Sequence, residues 1–458
     1  MPAVTILSYN PADPEDLVAE VDAPGVEAVR ATVGRARTAQ AGWLAAGAGA
    51  RSAALTRIAE LVEANAEELA ALVVREVGKP LAEARGEVAR TAAIWRYYAQ
   101  APFAASGAVH ETAAGPGLLL TRRRPYGVAG LVTPWNFPLA IPTWKAAPAL
   151  AVGNSVVLKP SSEAIGCALR LAGLIAEAGL PTDVFTVLPG GGAEGGELVG
   201  SADVVSFTGS TGVGRQVVRT ATERGIPVQA ELGGLNAALV LPDADMAQAA
   251  AHLAAAIAGY AGQKCTATSR VIAVGAAYEP LRAALVKALE QVDDTSCGPV
   301  INSATRDEIV AAVASARDAG AEVLTGGGAP ERTGWYLAPT LVADVPDDHP
   351  LRREEFFGPI AVLHAAADLD EAIALANDTP YTLSASVHTR DLDAALAAAD
   401  RLDAGMIRVN APSSGVDFHL PFGGAKGASH GDREQGAAAL DFYTTSRTVT
   451  LLPAGGAS

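Results

Sequence analysis

One cysteine in a small, polar setting is the leading candidate for covalent chemistry in this sequence. Cys265 lies in the segment GQKCTATSR at 262–270, whose neighbours leave room for a substrate and for hydration of a thiolate. Cys167 lies in an apolar helical run and is predicted to be a core residue, whereas Cys297 lies in a polar connection without a recognisable partner group. An isolated cysteine is more often a small buried hydrophobe than a nucleophile, so Cys265 needs support from other residues.

Two further residues have side chains that can assist a nucleophile. Glu231 ends a predicted strand before the run LGG, where a carboxylate can act as a general base. Asn136 lies between two prolines, and a stiff loop that presents an amide donor suits an oxyanion. Taken singly, a strand-terminal Glu is usually solvated and a loop Asn usually forms a turn.

A dinucleotide could be held by a glycine-rich turn and a lysine. Gly209 and Ser210 begin the run GSTGVG at 209–214, which follows one predicted strand and opens the next helix, a place suited to a pyrophosphate. The spacing is not that of the common GxGxxG fingerprint, so a plain tight turn explains it as well. Lys159 closes the strand at 155–158, where the edge of an α/β sheet binds ligands, although most single lysines are merely exposed.

The elements around these residues alternate in a way typical of parallel sheets. From 155 to 231, and again from 270 to 410, short β-branched runs alternate with helical stretches, which predicts two α/β units. The first hundred residues carry helical periodicity, clearest at 55–62 and 80–98. The segment 442–452 is a late β-rich run, expected to add to a distant sheet edge or to another subunit.

Composition excludes several classes of protein. Half of the residues are hydrophobic and 18% are charged, which excludes disorder, and a net charge of −16 disfavours binding to nucleic acid or to an acidic membrane. Three cysteines are too few for a disulfide framework, and we see no export signal, no membrane span and no cluster of metal ligands. These features predict a soluble, cytoplasmic, multi-domain protein without a metal site.

Taken together, the segments resemble the aldehyde dehydrogenase superfamily. Eight of them occur in the family order, at 133–139, 153–161, 207–215, 231–236, 262–270, 354–360, 377–391 and 421–426, and the 34-residue step from Glu231 to Cys265 also agrees. The resemblance implies an α/β fold with two doubly wound parallel-sheet domains and a small β oligomerisation arm. We expect residues 1–105 and 126–233 to bind the dinucleotide, residues 234–424 to form the catalytic domain, and residues 106–125 and 425–458 to form an arm that bridges a homodimer or homotetramer.

The resemblance also implies roles for the candidate residues. Cys265 would attack the aldehyde, Asn136 and the Cys265 backbone N–H would hold the oxyanion, and hydride transfer would leave a thioester that Glu231 hydrolyses through water. Lys145 and Glu434 match positions near that carboxylate and are candidates for proton relay. The family positions that contact the dinucleotide correspond to Trp135, Lys159, Ser162, Gly209, Ser210, Leu232, Glu355 and Phe357.

Cofactor and substrate are narrower predictions. Ser162 replaces the Glu that many NAD-preferring relatives carry, so we favour NADP⁺, with NAD⁺ as the alternative because Glu163 follows. The segments 262–270 and 409–424 resemble the α-ketoglutarate semialdehyde (2,5-dioxopentanoate) dehydrogenases. The candidate pocket residues are Phe137, Trp144, Ser413, Ser414 and His419, with Arg408 as a further cation.

Other functions stay open at this point. The substrate could be succinate semialdehyde, betaine aldehyde or an aliphatic aldehyde. A CoA-acylating relative would transfer the acyl group to a thiol, but such relatives usually lack the carboxylate at the Glu231 position. A catalytically silent binding protein could share the fold.

Overall fold

The computed structural model describes residues 4–104, 106–113 and 115–453. The strands are β1 (Thr5–Asn10), β2 (Asp13–Asp22), β3 (Val109–His110), β4 (Leu118–Pro125), β5 (Val128–Val132), β6 (Ser155–Lys159), β7 (Phe185–Val187), β8 (Val204–Thr208), β9 (Val228–Glu231), β10 (Asn236–Val240), β11 (Thr268–Val274), β12 (Glu322–Thr325), β13 (Thr340–Ala343), β14 (Ile360–Ala366), β15 (Tyr381–Thr382), β16 (Ser384–His388), β17 (Met406–Val409), β18 (Ala425–Lys426), β19 (Ser429–His430) and β20 (Thr444–Leu451).

The helices separate these strands along most of the chain. They are α1 (Val26–Ala45), α2 (Gly47–Ala64), α3 (Ala66–Val77), α4 (Leu81–Ala99), α5 (Ala140–Ala151), α6 (Ile165–Glu177), α7 (Gly192–Ser201), α8 (Thr211–Glu223), α9 (Met246–Ala258), α10 (Tyr278–Glu290), α11 (Asp294–Cys297), α12 (Ser303–Asp318), α13 (Pro350–Arg353), α14 (Leu369–Asn377), α15 (Leu392–Arg401) and α16 (Ala438–Phe442). No helix in the described ranges has both the length and the apolar composition to cross a membrane.

The first large sheet has the strand order β19-β9-β8-β5-β6-β7. Its strands are parallel except at the edge, where β19 runs antiparallel to β9. The strand β6 reads SVVLK and is buried up to its final lysine, as expected for a β-branched run covered on both faces. The predicted alternation of strands and helices over 155–231 is confirmed, and Cys167 lies in the core on α6 as predicted.

The N-terminal helices complete this half of the molecule. Helix α4 packs against α2, α3 and α5, and its buried Trp95 and Tyr98 join Leu55 and Ile58 of α2 in one hydrophobic core. That core also contains residues of β5 and β6. One face of α4 is therefore held in the core, and this packing fixes the direction in which its other side chains point.

The second large sheet has the strand order β12-β13-β14-β11-β10-β16-β17. All neighbouring strands are parallel except the edge pair β12 and β13. Hydrophobic clusters lie on both faces, one around Leu253 and Leu285 of the covering helices and another around Leu239 and Ile373. The two doubly wound sheets that the sequence predicts are thus present, each with one antiparallel edge strand.

A third, three-stranded sheet has the order β20-β4-β3 and is antiparallel. The strand predicted at 442–452 begins two residues later, because α16 extends to Phe442, and it pairs with β4 along its whole length. This pairing joins one strand from each of the two segments, 106–125 and 425–458, that are predicted to form the arm.

The expectation that the first hundred residues are helical is wrong for their beginning. Residues 5–22 form the hairpin of β1 and β2, in which Ile6 and Ser8 alternate inward. Ser8 donates a hydrogen bond to Glu76 of α3 at 2.8 Å, which ties the hairpin to the helices. Six residues with two inward positions are too short a pattern to be recognised beside the longer helical periods that follow.

Candidate active site

The backbone before Cys265 is bent through an unusual conformation. Helix α9 ends at Ala258, and the turn Gly259–Gly262 carries Tyr260, Ala261 and Gly262 at φ values of 56°, 50° and 67°. Left-handed backbone at non-glycine residues costs about 1–3 kcal/mol each and is found at functional sites. A Cβ on Gly262 would lie 2.1 Å from the carbonyl oxygen of Gly358, so only glycine fits there.

Two side chains that the sequence analysis did not assign hold the Cys265 loop. Asn236, at the start of β10, donates hydrogen bonds at 2.8 Å to the carbonyl oxygens of Cys265 and Ala267. Gln263 donates to the Pro299 carbonyl at 3.1 Å and accepts from the Ile301 N–H at 2.8 Å. Both lie inside the segments that carried the family resemblance, which was the available signal for them.

Asn136 reaches the same loop from the first sheet. Its side-chain nitrogen donates to the carbonyl oxygen of Gln263 at 3.0 Å, two residues before Cys265. Its buried side-chain oxygen has no partner among the described residues, so the contact that orients the amide is the bond to Gln263. An amide held in this way keeps one N–H free for a ligand.

The Cys265 thiol differs from the other two in its surroundings. Cys265 is partly exposed and lines a cavity, whereas Cys167 and Cys297 are buried. Burial of the sulfur raises the pKa of Cys265, and the nearby carboxylates Glu355 and Glu231 raise it further. In this state Cys265 is therefore a thiol whose proton must be removed as it attacks.

Glu231 is a buried carboxyl group in which one oxygen accepts a hydrogen bond and the other does not. Its Oε2 accepts a hydrogen bond of 2.5 Å from the Ser429 hydroxyl, which itself accepts one of 2.6 Å from the Gly424 N–H. Its Oε1 has no partner within the part of the chain that the structure describes. Burial raises the pKa of Glu231 well above its ordinary value, Glu434 adds to this, and the Ser429 bond opposes it. A carboxylate with a raised pKa is a better base near neutral pH.

Lys145 and Glu434 form an ion pair that is buried beside Glu231. The Lys145 ammonium also donates to the Ser206 hydroxyl at 2.8 Å, and the other Glu434 oxygen accepts from the indole N–H of Trp144 at 2.6 Å. The structure thus brings together the two residues that the family resemblance associated with proton relay.

A cavity of about 320 Å³ opens at Cys265. Among the sequence-predicted pocket residues it brings Phe137, Trp144 and Ser414 together. The lining consists of Glu83, Gly86, Glu87, Arg90, Phe137, Trp144, Lys264, Cys265, Thr266, Ser414, Gly415, Val416, Phe422 and Gln435.

Three of the predicted substrate ligands lie elsewhere. Ser413 is buried, and its hydroxyl lies 2.8 Å from both the Thr266 carbonyl and the Thr268 hydroxyl, so it holds the loop together. His419 is exposed and outside the cavity lining. Arg408 donates to the carbonyl oxygen of Gly415, which places its guanidinium on the backbone of the loop.

Four of the residues predicted to contact the dinucleotide lie at the carboxyl edge of the first sheet. Lys159 is the last residue of β6, and Gly209 follows β8. Ser210 is the exposed N-cap of α8 and its hydroxyl makes no capping bond. Ser162 begins the short turn Ser162–Ala164. Burial lowers the pKa of Lys159, while the carboxylates of Glu163 and Glu194 raise it.

Among the other residues predicted to contact the dinucleotide, Glu355 and Phe357 bring the segment before β14 of the second sheet against segments that follow strands of the first. The Glu355 carboxylate lies against Gly233, where a Cβ would come within 2.0 Å of it, and burial raises its pKa to about 7. The Phe357 ring packs edge-on against Trp135 at 5.7 Å between centroids. Leu232 occupies the space that a Cβ on Gly214 would need, with its Cδ2 2.1 Å from that position.

These features fit a dinucleotide. The free N-terminus of α8 suits a pyrophosphate, and the Lys159 ammonium suits ribose hydroxyls or a phosphate. The Glu355 carboxylate has no cation within 4 Å among the described residues, so it is available to accept from ribose hydroxyls. Within 4–104, 106–113 and 115–453 no group of three His, Cys, Asp or Glu side chains is placed to hold a metal ion.

The fold and this site define the class. The model of the aldehyde dehydrogenase family matches residues 2–449, and the chain belongs to that family. It is an oxidoreductase that acts on aldehydes with a nicotinamide cofactor.

Individual relatives make the similarity more specific. An α-ketoglutaric semialdehyde dehydrogenase of Bacillus subtilis is 38% identical over 97% of this chain and 94% of the relative. An α-ketoglutarate semialdehyde dehydrogenase of Haloferax volcanii is 40% identical over 96% of this chain and 94% of the relative. The crystal structure of a NAD-dependent aldehyde dehydrogenase from Sinorhizobium meliloti has a TM-score of 0.94 and 35% identity, covering 99% of this chain and 93% of that one. The family and the subfamily resemblance inferred from the sequence are confirmed.

Proposed function

We propose that the protein oxidises an aldehyde to its carboxylic acid through a covalent bond to Cys265. The observation that carries this is the shared loop: Cys265 lines the cavity, and the Asn136 amide donates a hydrogen bond to the backbone carbonyl of Gln263, two positions before it. One side chain can therefore attack a carbonyl carbon while the other meets the carbonyl oxygen.

The chain's own residues perform most of the reaction. The Cys265 sulfur forms a bond to the aldehyde carbon as its proton is released to solvent, and the oxyanion that forms is held by hydrogen bonds from the Asn136 amide and the Cys265 N–H. A bound nicotinamide supplies the acceptor for the hydride that leaves this carbon. Glu231 then takes a proton from water as the water attacks the resulting thioester, and the acid and the free thiol are released.

Glu231 distinguishes hydrolysis from transfer to CoA. Its free Oε1 and raised pKa suit activation of water, and the charges of the buried pair Lys145 and Glu434 act on it directly, which makes that pair the candidate to receive the proton. We therefore propose water as the acyl acceptor.

We propose a semialdehyde with a distal carboxylate, 2,5-dioxopentanoate first among them. Support comes from the similar proteins, whose names include α-ketoglutaric semialdehyde dehydrogenase and 2,5-dioxopentanoate dehydrogenase. A succinate-semialdehyde dehydrogenase of Paenarthrobacter nicotinovorans is also 36% identical over 90% of this chain, which makes succinate semialdehyde the second candidate.

For the cofactor we propose a preference for NADP⁺ over NAD⁺. The small Ser162 beside Lys159 leaves room for a 2′-phosphate and offers it a donor. Glu163 and Glu194 oppose this by their charge, although the Glu163 carboxylate is engaged by the Ser161 hydroxyl at 2.5 Å. The substitution Ser162→Glu should therefore reduce kcat/KM with NADP⁺ far more than with NAD⁺; an equal reduction would contradict the proposal.

The division of labour among the domains and the assembly are also proposals. We propose the boundaries given above, with the sheet of β3, β4 and β20 as a bridge between subunits in a homodimer or homotetramer. Exposed apolar side chains on this sheet, Val109, Leu118 and Leu451, support it. A monodisperse monomer in light scattering at micromolar concentration would contradict it. Three unpaired cysteines support a cytoplasmic location.

The central experiment measures reduction of NADP⁺ and NAD⁺ by the purified protein with a panel of aldehydes. The panel contains 2,5-dioxopentanoate, succinate semialdehyde, betaine aldehyde and an aliphatic aldehyde, each with and without CoA. We expect the highest kcat/KM with 2,5-dioxopentanoate and NADP⁺, independent of CoA, and loss of activity in Cys265→Ala but not in the matched variant Cys167→Ala. Absence of turnover with every pair would favour a silent binding protein.

A further inference from the structure

The wall of the cavity that α4 forms carries three charged side chains. Glu83, Gly86, Glu87 and Arg90 all line it, at the spacing of three and four residues that places side chains on one helical face. Trp95 and Tyr98 of the same helix are buried in the core, which fixes the orientation of α4 and holds these charged residues at the cavity.

The two carboxylates on this face already have partners. Glu83 forms an ion pair with Lys264 at 2.8 Å. Glu87 is buried, pairs with Lys79, and accepts hydrogen bonds from the backbone N–H groups of Leu139 at 2.9 Å and Ala140 at 3.0 Å. Lys264 and Glu83 neutralise each other, and Glu87 is fully satisfied by its own neighbours.

Arg90 is different. Its side chain is half-buried, yet among the residues that the structure describes it makes no ion pair within 4 Å and no hydrogen bond. Burial lowers the pKa of its guanidinium, and Asp417 and Glu87 oppose this from a greater distance. A guanidinium carries five donors in a planar fork that matches a carboxylate, and leaving it desolvated without an anion is unfavourable.

Gly86 keeps the approach to Arg90 open. It lies one helical turn before Arg90 on the same face, and a Cβ added there would meet nothing within 4 Å. Apolar walls from Phe137, Trp144 and Val416 complete the cavity between the helix and Cys265. A ligand with an aldehyde at one end, an apolar middle and an anionic end fits this distribution.

We propose that Arg90 binds the distal carboxylate of the substrate and selects semialdehydes that carry a second, anionic carboxyl group. This inference rests on the proposed oxidation of aldehydes at Cys265 and names the residue that reads the far end of the substrate. Ser414, which lines the same cavity, is positioned to add a hydroxyl donor.

The test compares paired substrates in matched variants. Arg90→Gln and Arg90→Lys change the proposed ligand, and Arg96→Gln is the control, because Arg96 is on the same helix but is exposed and paired with Glu63. Each variant is assayed with succinate semialdehyde, 2,5-dioxopentanoate and the uncharged butanal. We expect Arg90→Gln to raise KM for both carboxylated aldehydes by roughly 10- to 100-fold, with butanal and the control unchanged and with partial recovery in Arg90→Lys.

A binding measurement separates this inference from the reaction itself. Glutarate has two carboxylates and no aldehyde, so it should slow alkylation of Cys265 by iodoacetamide in the wild type but not in Arg90→Gln. Glutaramide should protect neither. The Arg90 assignment is overturned if glutarate protects both proteins equally. It is also overturned if Arg90→Gln raises KM for butanal as much as KM for the two carboxylated aldehydes. Absence of turnover with all aldehydes would instead contradict the proposed function, and glutarate protection would still report on Arg90.

Discussion

The side-chain amide of Asn136 and the backbone of Gln263 are joined by a hydrogen bond of 3.0 Å across the junction of the two large sheets. Asn136 follows β5 of the first sheet, and Gln263 precedes β11 of the second. Gln263 is fixed in turn to Pro299 and Ile301. The proposed oxyanion donor and nucleophile thus belong to different sheets, yet one loop sets their relative position.

The first prediction follows from this contact. Asn136→Ala removes both the oxyanion donor and the tether to Gln263, so kcat should decrease about 10²- to 10³-fold, the usual effect of losing one oxyanion donor. Steady-state kinetics with the best aldehyde measure this. Asn136→Asp keeps the size but replaces the donor with an acceptor, and it should be equally inactive. Wild-type activity in Asn136→Asp would show that the amide acts through packing alone.

A site residue can be predicted from the sequence when its side chain has recognisable chemistry. It cannot be predicted when its role depends only on which backbone groups the fold brings near it. Cys265, Glu231 and Lys159 have side chains suited to their chemistry and stand at strand ends or in small-residue loops, so spacing identified them. Asn236 and Gln263 act on backbone carbonyl groups that come close only after folding, and their types have no special chemistry.

The role of Arg90 also could not be predicted from the sequence. Its helix was predicted from periodicity at 80–98, but the pattern cannot say that this particular face borders a cavity. The motif at 409–424 predicts substrate ligands in that loop, whereas Ser413 and Arg408 bond to backbone carbonyl groups and hold the loop together. The sequence does not predict the hairpin of β1 and β2 for a related reason, because β1 has only two inward positions, Ile6 and Ser8.

The second prediction concerns the fate of the thioester. Glu231→Gln keeps the size of the side chain but removes the base, so acylation should proceed while hydrolysis becomes slow. Stopped-flow absorbance should then show a burst of about one reduced cofactor per active site, followed by a steady rate at least tenfold below the wild type. A variant that loses the burst as well would place Glu231 in the first half of the reaction.

The third prediction uses the bond from Ser429 to Glu231. Burial and Glu434 raise the pKa of Glu231, and the Ser429 hydroxyl lowers it, so Ser429→Ala should raise it further. The base works when deprotonated, so the rate of thioester hydrolysis falls as pH drops below this pKa. The acid limb of the profile should therefore move to higher pH in Ser429→Ala. Ser429→Thr retains a hydroxyl and should restore the wild-type profile; an unchanged limb in Ser429→Ala would exclude this role.

The fourth prediction concerns the backbone beneath Cys265. Gly262→Ala places a Cβ 2.1 Å from the Gly358 carbonyl oxygen at a φ of +67°, so the loop must move and the free energy of unfolding should fall by more than about 1 kcal/mol. Gly34→Ala in α1 is the control, since a Cβ there meets nothing within 4 Å, and it should stabilise by about 0.5–1 kcal/mol. Urea titration measures both changes. Equal unfolding midpoints for Gly262→Ala and Gly34→Ala would show that the Cys265 loop can move without loss of stability.

The last prediction addresses the buried pair of Lys145 and Glu434. Lys145→Met removes the cation and leaves a carboxylate in a desolvated site with only the Trp144 indole and Ser206 as partners, so unfolding free energy should fall by about 3–5 kcal/mol. Lys145→Met combined with Glu434→Gln removes the uncompensated charge and should regain much of that loss. Activity should stay low in both variants, because neither can pass a proton from Glu231. Recovery of stability without recovery of thioester hydrolysis would separate the structural effect of the pair from its chemical one, whereas full activity in the double variant would remove both residues from the proton path.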